Sequence, residues 1–219
     1  MLEYLPFIMA YFIGGIPFGI IVTRLAGKGD IRSYGSGNIG ATNVARVCGF
    51  KTAIWVYVGD IGKAVIAVLL AKVMYSKLEF SILEPDLYFV ITAGLCVIGS
   101  IFPLFLKFKG GKGVNASLGS VITLMPIEAV SAFAVFLILA FITRLISLAS
   151  IIAVSSFSII LLVEKYYFHR HVDNLYIVLG LLLALIVFYA HRKNVKRILD
   201  GTEKKFSTKS KSPEVENHV

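Results

Sequence analysis

Three polar stretches of this sequence combine cations with glycines, hydroxyls or amides, and each lies at the edge of an apolar run. They span residues 35–43, 109–113 and 191–203. Closely spaced glycines let backbone N–H groups approach an anion, and lysine or arginine side chains supply charge to phosphate oxygens. We therefore expect these stretches to bind an anionic, phosphate-bearing molecule where water meets lipid.

The first stretch contains glycines at 35, 37 and 40 and so matches the letters of the dinucleotide pattern G-x-G-x-x-G. That pattern binds nucleotides when it joins a strand to a helix, whereas here a run of membrane-helix length precedes it. A dinucleotide fold is therefore excluded. Two hypotheses remain, a plain turn that caps a helix and an anion site with these polar contributors: Ser36, Asn38, Thr42, Asn43 and Arg46.

The second stretch reads Lys109-Gly110-Gly111-Lys112-Gly113 and lacks the spacing of a Walker phosphate loop. Its flexible backbone and two lysines still suit phosphate. The positive-inside rule would by itself explain the lysines, but it would not explain three glycines.

The third stretch follows the last apolar run directly, and its cations could be a basic anchor at a helix end. That interpretation leaves His191 and Asn194 unexplained. These two residues are three positions apart, so on a helix they lie on one face and could reach one ligand.

Asp60 and Lys63 interrupt another apolar run. Ionisable groups at membrane depth are costly unless they pair or face a cavity. The spacing allows the two side chains to pair with each other. Alternatively, Asp60 could meet Lys112 or Arg46 and shape the anion site.

The elements that must position these residues are membrane helices. The chain has 219 residues, of which 57% are hydrophobic and 16% charged, with mean hydropathy +0.82. Apolar runs of about 20 residues, the length that crosses a bilayer, recur along it. The net charge of +9 lies in loops beside these runs, which is typical of membrane topology and argues against nucleic acid as a partner. No Cys/His spacing or carboxylate cluster indicates a metal, and no cofactor is expected.

Hydropathy predicts spans at residues 5–25, 53–75, 86–106, 145–163 and 174–189, with a further apolar region at 116–142. Loop charges place the N-terminus outside and the basic loops and C-terminus in the cytoplasm. The chain must then cross an even number of times between Lys112 and His191. Splitting the 116–142 region near Pro126 satisfies this parity and predicts seven helices, the piece at 116–125 being a half-helix buried in the bundle. A single crossing plus an interfacial segment is the alternative.

We therefore predict an all-α integral membrane protein, a compact polytopic bundle of seven transmembrane helices. Residues 1–206 form the membrane domain, and residues 207–219 form a flexible cytoplasmic tail.

In their joint order these motifs resemble the bacterial acyl-phosphate:glycerol-3-phosphate acyltransferases, the PlsY family. The resemblance covers nearly the whole chain and rests mainly on Ser36–Arg46 (SGNIGATNVAR), Phe108–Val114 (FKGGKGV) and His191–Glu203 (HRKNVKRILDGTE). Gly15–Gly19, Gly29–Arg32, Asp60 with Lys63, Phe102-Pro103 and Arg144 with Ser147 and Ser150 add to it. The sequence departs from the family pattern at Ser100, Ala64 and Asn115-Ala116.

The resemblance implies an enzyme that moves a long-chain acyl group from acyl-phosphate to the 1-hydroxyl of glycerol 3-phosphate. The products are 1-acyl-glycerol 3-phosphate (lysophosphatidic acid) and phosphate, in the first step of phospholipid synthesis, and neither acyl-CoA nor acyl-carrier protein is expected as donor. It also implies a multi-pass protein of the bacterial cell membrane, in contact with membrane lipids, with its active site at the cytoplasmic face. A transient contact with PlsX, the soluble enzyme that makes the acyl-phosphate, is implied as well.

Carried onto this sequence, the resemblance implies a catalytic centre of Ser36, Arg46, Lys112, His191 and Asn194. It implies that substrate and phosphate are bound by Gly35, Gly37, Asn38, Gly40, Thr42, Asn43, Lys109, Gly110, Gly111, Gly113, Arg144, Ser147, Ser150, Arg192, Arg197 and Glu203, while Asp60 and Lys63 shape the site.

The hydroxyl proton has two candidate acceptors, His191 and a phosphate oxygen of the donor. We favour the donor phosphate, because neighbouring cations would disfavour protonation of His191. Two other classes of protein share the basic glycine loops. An anion transporter would be expected to carry ionisable groups at mid-membrane in both halves, and a lipid-binding scaffold would have no need of His191 or Asn194.

Overall fold

The computed structural model describes residues 2–80 and 82–206, and the regular structure in this part of the chain is helical. Its α-helices are α1 (Leu5–Gly14), α2 (Phe18–Leu25), α3 (Ala41–Cys48), α4 (Phe50–Lys77), α5 (Pro85–Ile101), α6 (Val114–Leu124), α7 (Pro126–Thr143), α8 (Ile146–Tyr166), α9 (Asn174–Ala190) and α10 (Arg192–Leu199). The tail predicted at residues 207–219 lies outside the described residues.

The apolar helices confirm the prediction of an all-α membrane bundle. Helices α4, α7 and α8, and α5 together with the turn that follows it to Leu106, are each long and apolar enough to cross a bilayer. Helices α1 and α2 meet at 44°, α9 and α10 meet at 65°, and each bent pair passes the same test of length and composition. The count of seven crossings and the sides of the two termini stay predictions.

The apolar region 116–142 is broken at the expected proline. Helix α6 ends at Leu124 and α7 begins at Pro126, whose missing N–H costs nothing in the first turn of a helix. With 11 residues, α6 is roughly 16 Å long, too short to cross the bilayer. It packs on α4 so closely that a side chain at Gly119 would run into the backbone of Ile61. The segment is therefore a short helix packed inside the bundle, and its depth relative to a membrane stays a prediction.

The C-terminal end of α6 is capped by a lysine from another helix. The last carbonyls of a helix have no partner within it and carry a partial negative charge. Lys72 of α4 donates from Nζ to the Thr123 carbonyl at 2.9 Å, and its ammonium lies 5.7 Å from the centre of the Phe89 ring. This role could not be predicted from the sequence, because no local pattern links Lys72 to a carbonyl that is 51 residues away.

Small residues bring α1 and α5 into backbone contact. A side chain at Gly14 would meet the carbonyl of Cys96, and one at Gly99 would meet the carbonyl of Tyr11. Close approach through glycine is a common way for membrane helices to pack. The first span then bends at Gly15-Ile16-Pro17, before α2. Together these contacts bring the α5–α6 loop toward the segment that leads from α2 into α3.

Candidate active site

One cavity of about 1710 Å³ brings the three polar stretches together. Ser36, Arg46, Lys112, His191 and Asn194, the centre predicted from sequence, all line it. So do the predicted binding residues except Arg192, whose guanidinium stacks on Tyr189 at 4.3 Å and donates to the Tyr189 carbonyl. From this polar end the cavity continues into a groove with apolar walls that include Phe133, Phe136, Leu137, Phe157 and Leu183.

The first stretch is a loop held in shape by its own asparagines. Gly35 and Gly37 adopt φ of +62° and +70°, a region in which residues with a side chain are strained. Asn43 accepts from the Ser36 N–H at 2.9 Å and donates to the carbonyls of Tyr34 and Asn38. Asn38 accepts from the Gly40 N–H at 2.7 Å. Both ends of the Asn43 amide are engaged in the loop itself, so any contribution of Asn43 to phosphate binding is through the position of the backbone. Asn38 uses its oxygen in the loop, and its side chain also lines the cavity.

The loop ends at the N-terminus of α3, which opens into the cavity. Gly40, Ala41 and Thr42 line the cavity at this point, and no side chain caps the helix. The first N–H groups of a helix lack partners within it, and their partial positive charge attracts anions. Arg46, four residues after Thr42 on the same helix, also faces the cavity. The arrangement suits a phosphate group.

The second stretch docks on the end of α5. The N–H groups of Gly110 and Gly111 donate to the carbonyls of Ile101 and Ser100, each at 3.0 Å. A side chain at Gly110 would collide with those carbonyls, so glycine is needed here for close approach rather than for anion contact. Gly113, with φ of +78°, then starts α6. The docked loop fixes the place from which Lys112 extends.

Lys112 belongs to a hydrogen-bond network that joins the second and third stretches. Its Nζ donates to Asn194 Oδ1 at 2.7 Å, and Asn194 Nδ2 donates to Glu203 Oε1 at 2.6 Å. Glu203 also accepts from Ser147 Oγ at 2.8 Å and from Arg197 Nε at 2.7 Å. One carboxylate thereby ties α8, α10 and, through Asn194, the α5–α6 loop into a single wall.

The network leaves Lys112 cationic but poorly solvated. Burial, with smaller repulsion from Arg197 and Arg46, lowers the pKa of Lys112 to about 8, although Glu203 pulls the other way. Burial acts to raise the pKa of Glu203, but the hydrogen bonds from Arg197, Asn194 and Ser147 outweigh it, and the net pKa is lowered. Glu203 is therefore ionised at neutral pH, and Lys112 is largely protonated.

His191 lies at the junction of α9 and α10 and is almost fully buried. Its Nδ1 is 2.8 Å from the Val187 carbonyl, which can only accept, so Nδ1 carries the proton. Burial first and the charge of Lys112 second lower the pKa of His191 to about 4. The ring is neutral at pH 7, with Nε2 as a hydrogen-bond acceptor.

Asp60 and Lys63 form the pair that their spacing allows. Lys63 Nζ donates to Asp60 Oδ1 at 2.7 Å and to the Ile16 carbonyl at 2.8 Å. Asp60 also interacts with the side chain of Asn115, one of the departures from the family pattern. The pair borders the cavity, but its hydrogen bonds tie α4 to the bend between α1 and α2.

Comparison with known proteins places the chain in a family. Residues 4–201 match the family described as glycerol-3-phosphate acyltransferase. A glycerol-3-phosphate acyltransferase of Syntrophotalea carbinolica is 39% identical over 203 residues, which are 93% of this chain and 97% of the relative. That of Bacillus subtilis is 38% identical over 205 residues, covering 94% and 98% of the two chains.

Two solved structures are similar over nearly the whole length. The crystal structure of PlsY, an integral membrane glycerol 3-phosphate acyltransferase, in its glycerol 3-phosphate form gives a TM-score of 0.82 at 35% identity, covering 95% of this chain and 97% of that one. Its lysophosphatidic acid form gives a TM-score of 0.80 at 34% identity, with the same coverage. The chain described here therefore belongs to the glycerol-3-phosphate acyltransferase family of integral membrane proteins.

Proposed function

We propose that this protein transfers a fatty acyl group from a long-chain acyl-phosphate to the 1-hydroxyl of glycerol 3-phosphate. The products are 1-acyl-glycerol 3-phosphate and inorganic phosphate. The observation that carries the proposal is the continuous cavity, which has cations at one end and a groove with apolar walls at the other. The two substrates together carry two phosphate groups, which fit the cationic end, and one acyl chain, which fits the apolar groove.

The cations of the polar end suit the two phosphates. Arg46 and the N-terminus of α3 form one positive wall, and Lys112 with Arg197 forms the other. An acyl-phosphate is a mixed anhydride, so its carbonyl is already activated toward attack. The protein then contributes orientation of the two anions and stabilisation of the charge that develops on the carbonyl oxygen. Lys112, held by a neutral amide oxygen, keeps its charge available for that oxygen.

In the transfer step, the 1-hydroxyl oxygen forms the new ester bond while the bond between the carbonyl carbon and the phosphate oxygen breaks. The hydroxyl proton ends on the departing phosphate. His191 can accept a hydrogen bond from the hydroxyl at Nε2 and so orient it. With a pKa of about 4, its imidazole is a weak base, which favours direct proton transfer to a phosphate oxygen.

The topology that accompanies this function has the N-terminus outside and the active site at the cytoplasmic face of a bacterial cell membrane. The basic loops support it, because cations accumulate on the cytoplasmic side. A water-soluble acceptor and an acyl-phosphate released by PlsX would both reach the cavity from that side. A transient contact with PlsX belongs to the same proposal.

The test uses purified protein with labelled glycerol 3-phosphate and either palmitoyl-phosphate or palmitoyl-CoA. We expect labelled lipid only with palmitoyl-phosphate, and its loss in Lys112→Ala. Lys107→Ala is the matched control, since Lys107 belongs to the same loop but does not line the cavity, and it should keep full activity. A folded protein that forms no lipid with either donor would overturn the proposal and direct attention to anion transport.

A further inference from the structure

A second groove lies on the outer face of the bundle, between α2 and α4. It encloses about 590 Å³, and its walls include Phe18, Ile21, Val22, Leu25, Trp55 and Val58. Leu25 is 83% exposed, Trp55 66% and Val58 57%, so the walls are open to their surroundings. The Phe18 ring packs directly on Gly59, where a side chain would collide with it. In a membrane protein, an apolar groove of this kind is occupied by lipid chains.

One lysine lines the groove, and a second follows its wall in the chain. Lys51 lies one helical turn before Trp55, and Lys28 is exposed two residues after Ala26, which also lines the groove. The one acid among residues 18–59 is Asp30, which is paired with Arg24 and Arg32. Within the described part of the chain, neither Lys28 nor Lys51 has an ion-pair partner. The groove thus joins an apolar wall to uncompensated positive charge.

We propose that this groove is a binding site for an anionic phospholipid, with an acyl chain along the apolar wall and the phosphate at Lys51 and Lys28. The acyl chain of any lipid could pack along the apolar wall. The lysines favour a headgroup with net negative charge, because a zwitterionic headgroup brings its own cation. Trp55, a residue type enriched at the membrane interface, marks the depth at which chain and headgroup meet.

The bound lipid would stabilise the outer side of the cavity wall that is formed by the glycine-rich loop and α3. Phe18 and Val22, which line the outer groove, also pack in the cluster that contains Ile39 and Val44. Those two residues belong to the glycine-rich loop and to α3, whose other side faces the cavity. The site is nevertheless separate from acyl transfer, and its existence does not depend on the proposed reaction.

Trp55 offers a direct test because it is the only tryptophan of the chain. The wild-type protein is reconstituted in phosphatidylcholine vesicles containing brominated phosphatidylglycerol, and in vesicles with brominated phosphatidylcholine instead. Quenching of Trp55 fluorescence then measures the relative affinity of the two lipids. We expect phosphatidylglycerol to be favoured about fivefold or more at low salt, decreasing toward equality at high salt. Equal quenching at low salt would overturn the proposal.

Paired variants locate the preference. Lys28→Gln/Lys51→Gln should bring the two lipids to equality, whereas Lys77→Gln, an exposed lysine at the opposite end of α4, should leave the preference unchanged. None of the three lysines lines the catalytic cavity. Thermal unfolding in detergent, which does not depend on acyl transfer, checks that each variant is folded. A preference that survives in the folded double variant would also refute the site. If that variant does not fold, the salt dependence of the wild type decides alone.

Discussion

Two buried or half-buried lysines, Lys63 and Lys112, border the same cavity and have opposite surroundings. Lys63 is 5% exposed and donates to the Asp60 carboxylate and to the Ile16 carbonyl. Lys112 donates to the amide oxygen of Asn194, and Glu203, the carboxylate that raises its pKa, is engaged by Asn194, Ser147 and Arg197. The charge of Lys63 is neutralised within the protein, whereas the charge of Lys112 remains available to a ligand.

The difference separates a structural cation from a functional one. The Asp60–Lys63 ion pair lies within α4, and the hydrogen bond from Lys63 to the Ile16 carbonyl joins α4 to the bend before α2. A cation that is oriented by a neutral acceptor is not neutralised by that contact. Its charge can attract an anionic ligand, and the bound anion then stabilises the cation. We therefore expect changes at Lys63 or Asp60 to act on stability, and changes at Lys112 or its supports to act on catalysis.

The largest expected effect is on stability. Asp60→Ala removes the carboxylate and leaves Lys63 buried without its counter-charge, which should lower the free energy of unfolding by about 3–5 kcal/mol. Thermal unfolding in detergent measures it. The double variant Asp60→Ala/Lys63→Met removes both charges and should recover much of the loss. A double variant no more stable than Asp60→Ala would contradict the view that the pair is structural.

Lys112→Ala should act on the reaction instead. Loss of the cation that faces the developing oxyanion should lower kcat/KM on the order of 10²-fold or more. Its unfolding temperature should stay close to that of the wild type, because no ion pair is broken. Steady-state kinetics with palmitoyl-phosphate, beside the Lys107→Ala control, measures the first effect. A large drop in thermal stability with modest loss of activity would reverse the assignment of the two lysines.

Glu203→Gln tests the support of Lys112. The variant keeps the shape of the side chain but loses the charge that holds Arg197 and raises the pKa of Lys112. We expect kcat/KM to decrease about 10- to 100-fold, because a hydrogen bond to a charged group contributes about 1.5–3 kcal/mol. The alkaline limb of the pH profile should also move to lower pH. An unchanged pH profile would show that Glu203 is not coupled to Lys112.

The pH profile of the wild type follows from the same lysine. The pKa of Lys112 is about 8, so its cation is present below that pH and is lost above it. Because kcat/KM reports groups of the free enzyme, it should decline above about pH 8, by roughly tenfold per unit at the limit. His191 is neutral above its pKa of about 4, so its titration should not change kcat/KM between about pH 5 and 7. A profile flat to pH 10 would contradict a catalytic charge on Lys112.

Sequence patterns predicted the bundle, the break at Pro126 and the three stretches that meet, because hydropathy and residue type are local properties. They did not show that Asn43 holds the loop, that Lys72 caps α6 or that Gly110 docks on α5. Each of these contacts joins groups that are not neighbours in the sequence, and only the folded chain defines their positions. Likewise, α3 lies in a loop whose composition suggests a turn, and tertiary packing stabilises its eight residues as a helix.

The smallest effect is expected at His191. The Nδ1–H bond to Val187 and the low pKa describe an imidazole that orients a hydroxyl rather than one that takes its proton. Glutamine can present a carbonyl oxygen as acceptor at a similar reach, so His191→Gln should retain activity within a few-fold of wild type. His191→Ala, which removes the acceptor, should lose more, chiefly as a rise in KM for glycerol 3-phosphate. A collapse of kcat in His191→Gln, in folded protein, would make His191 the obligate base and leave the donor phosphate only the role of leaving group.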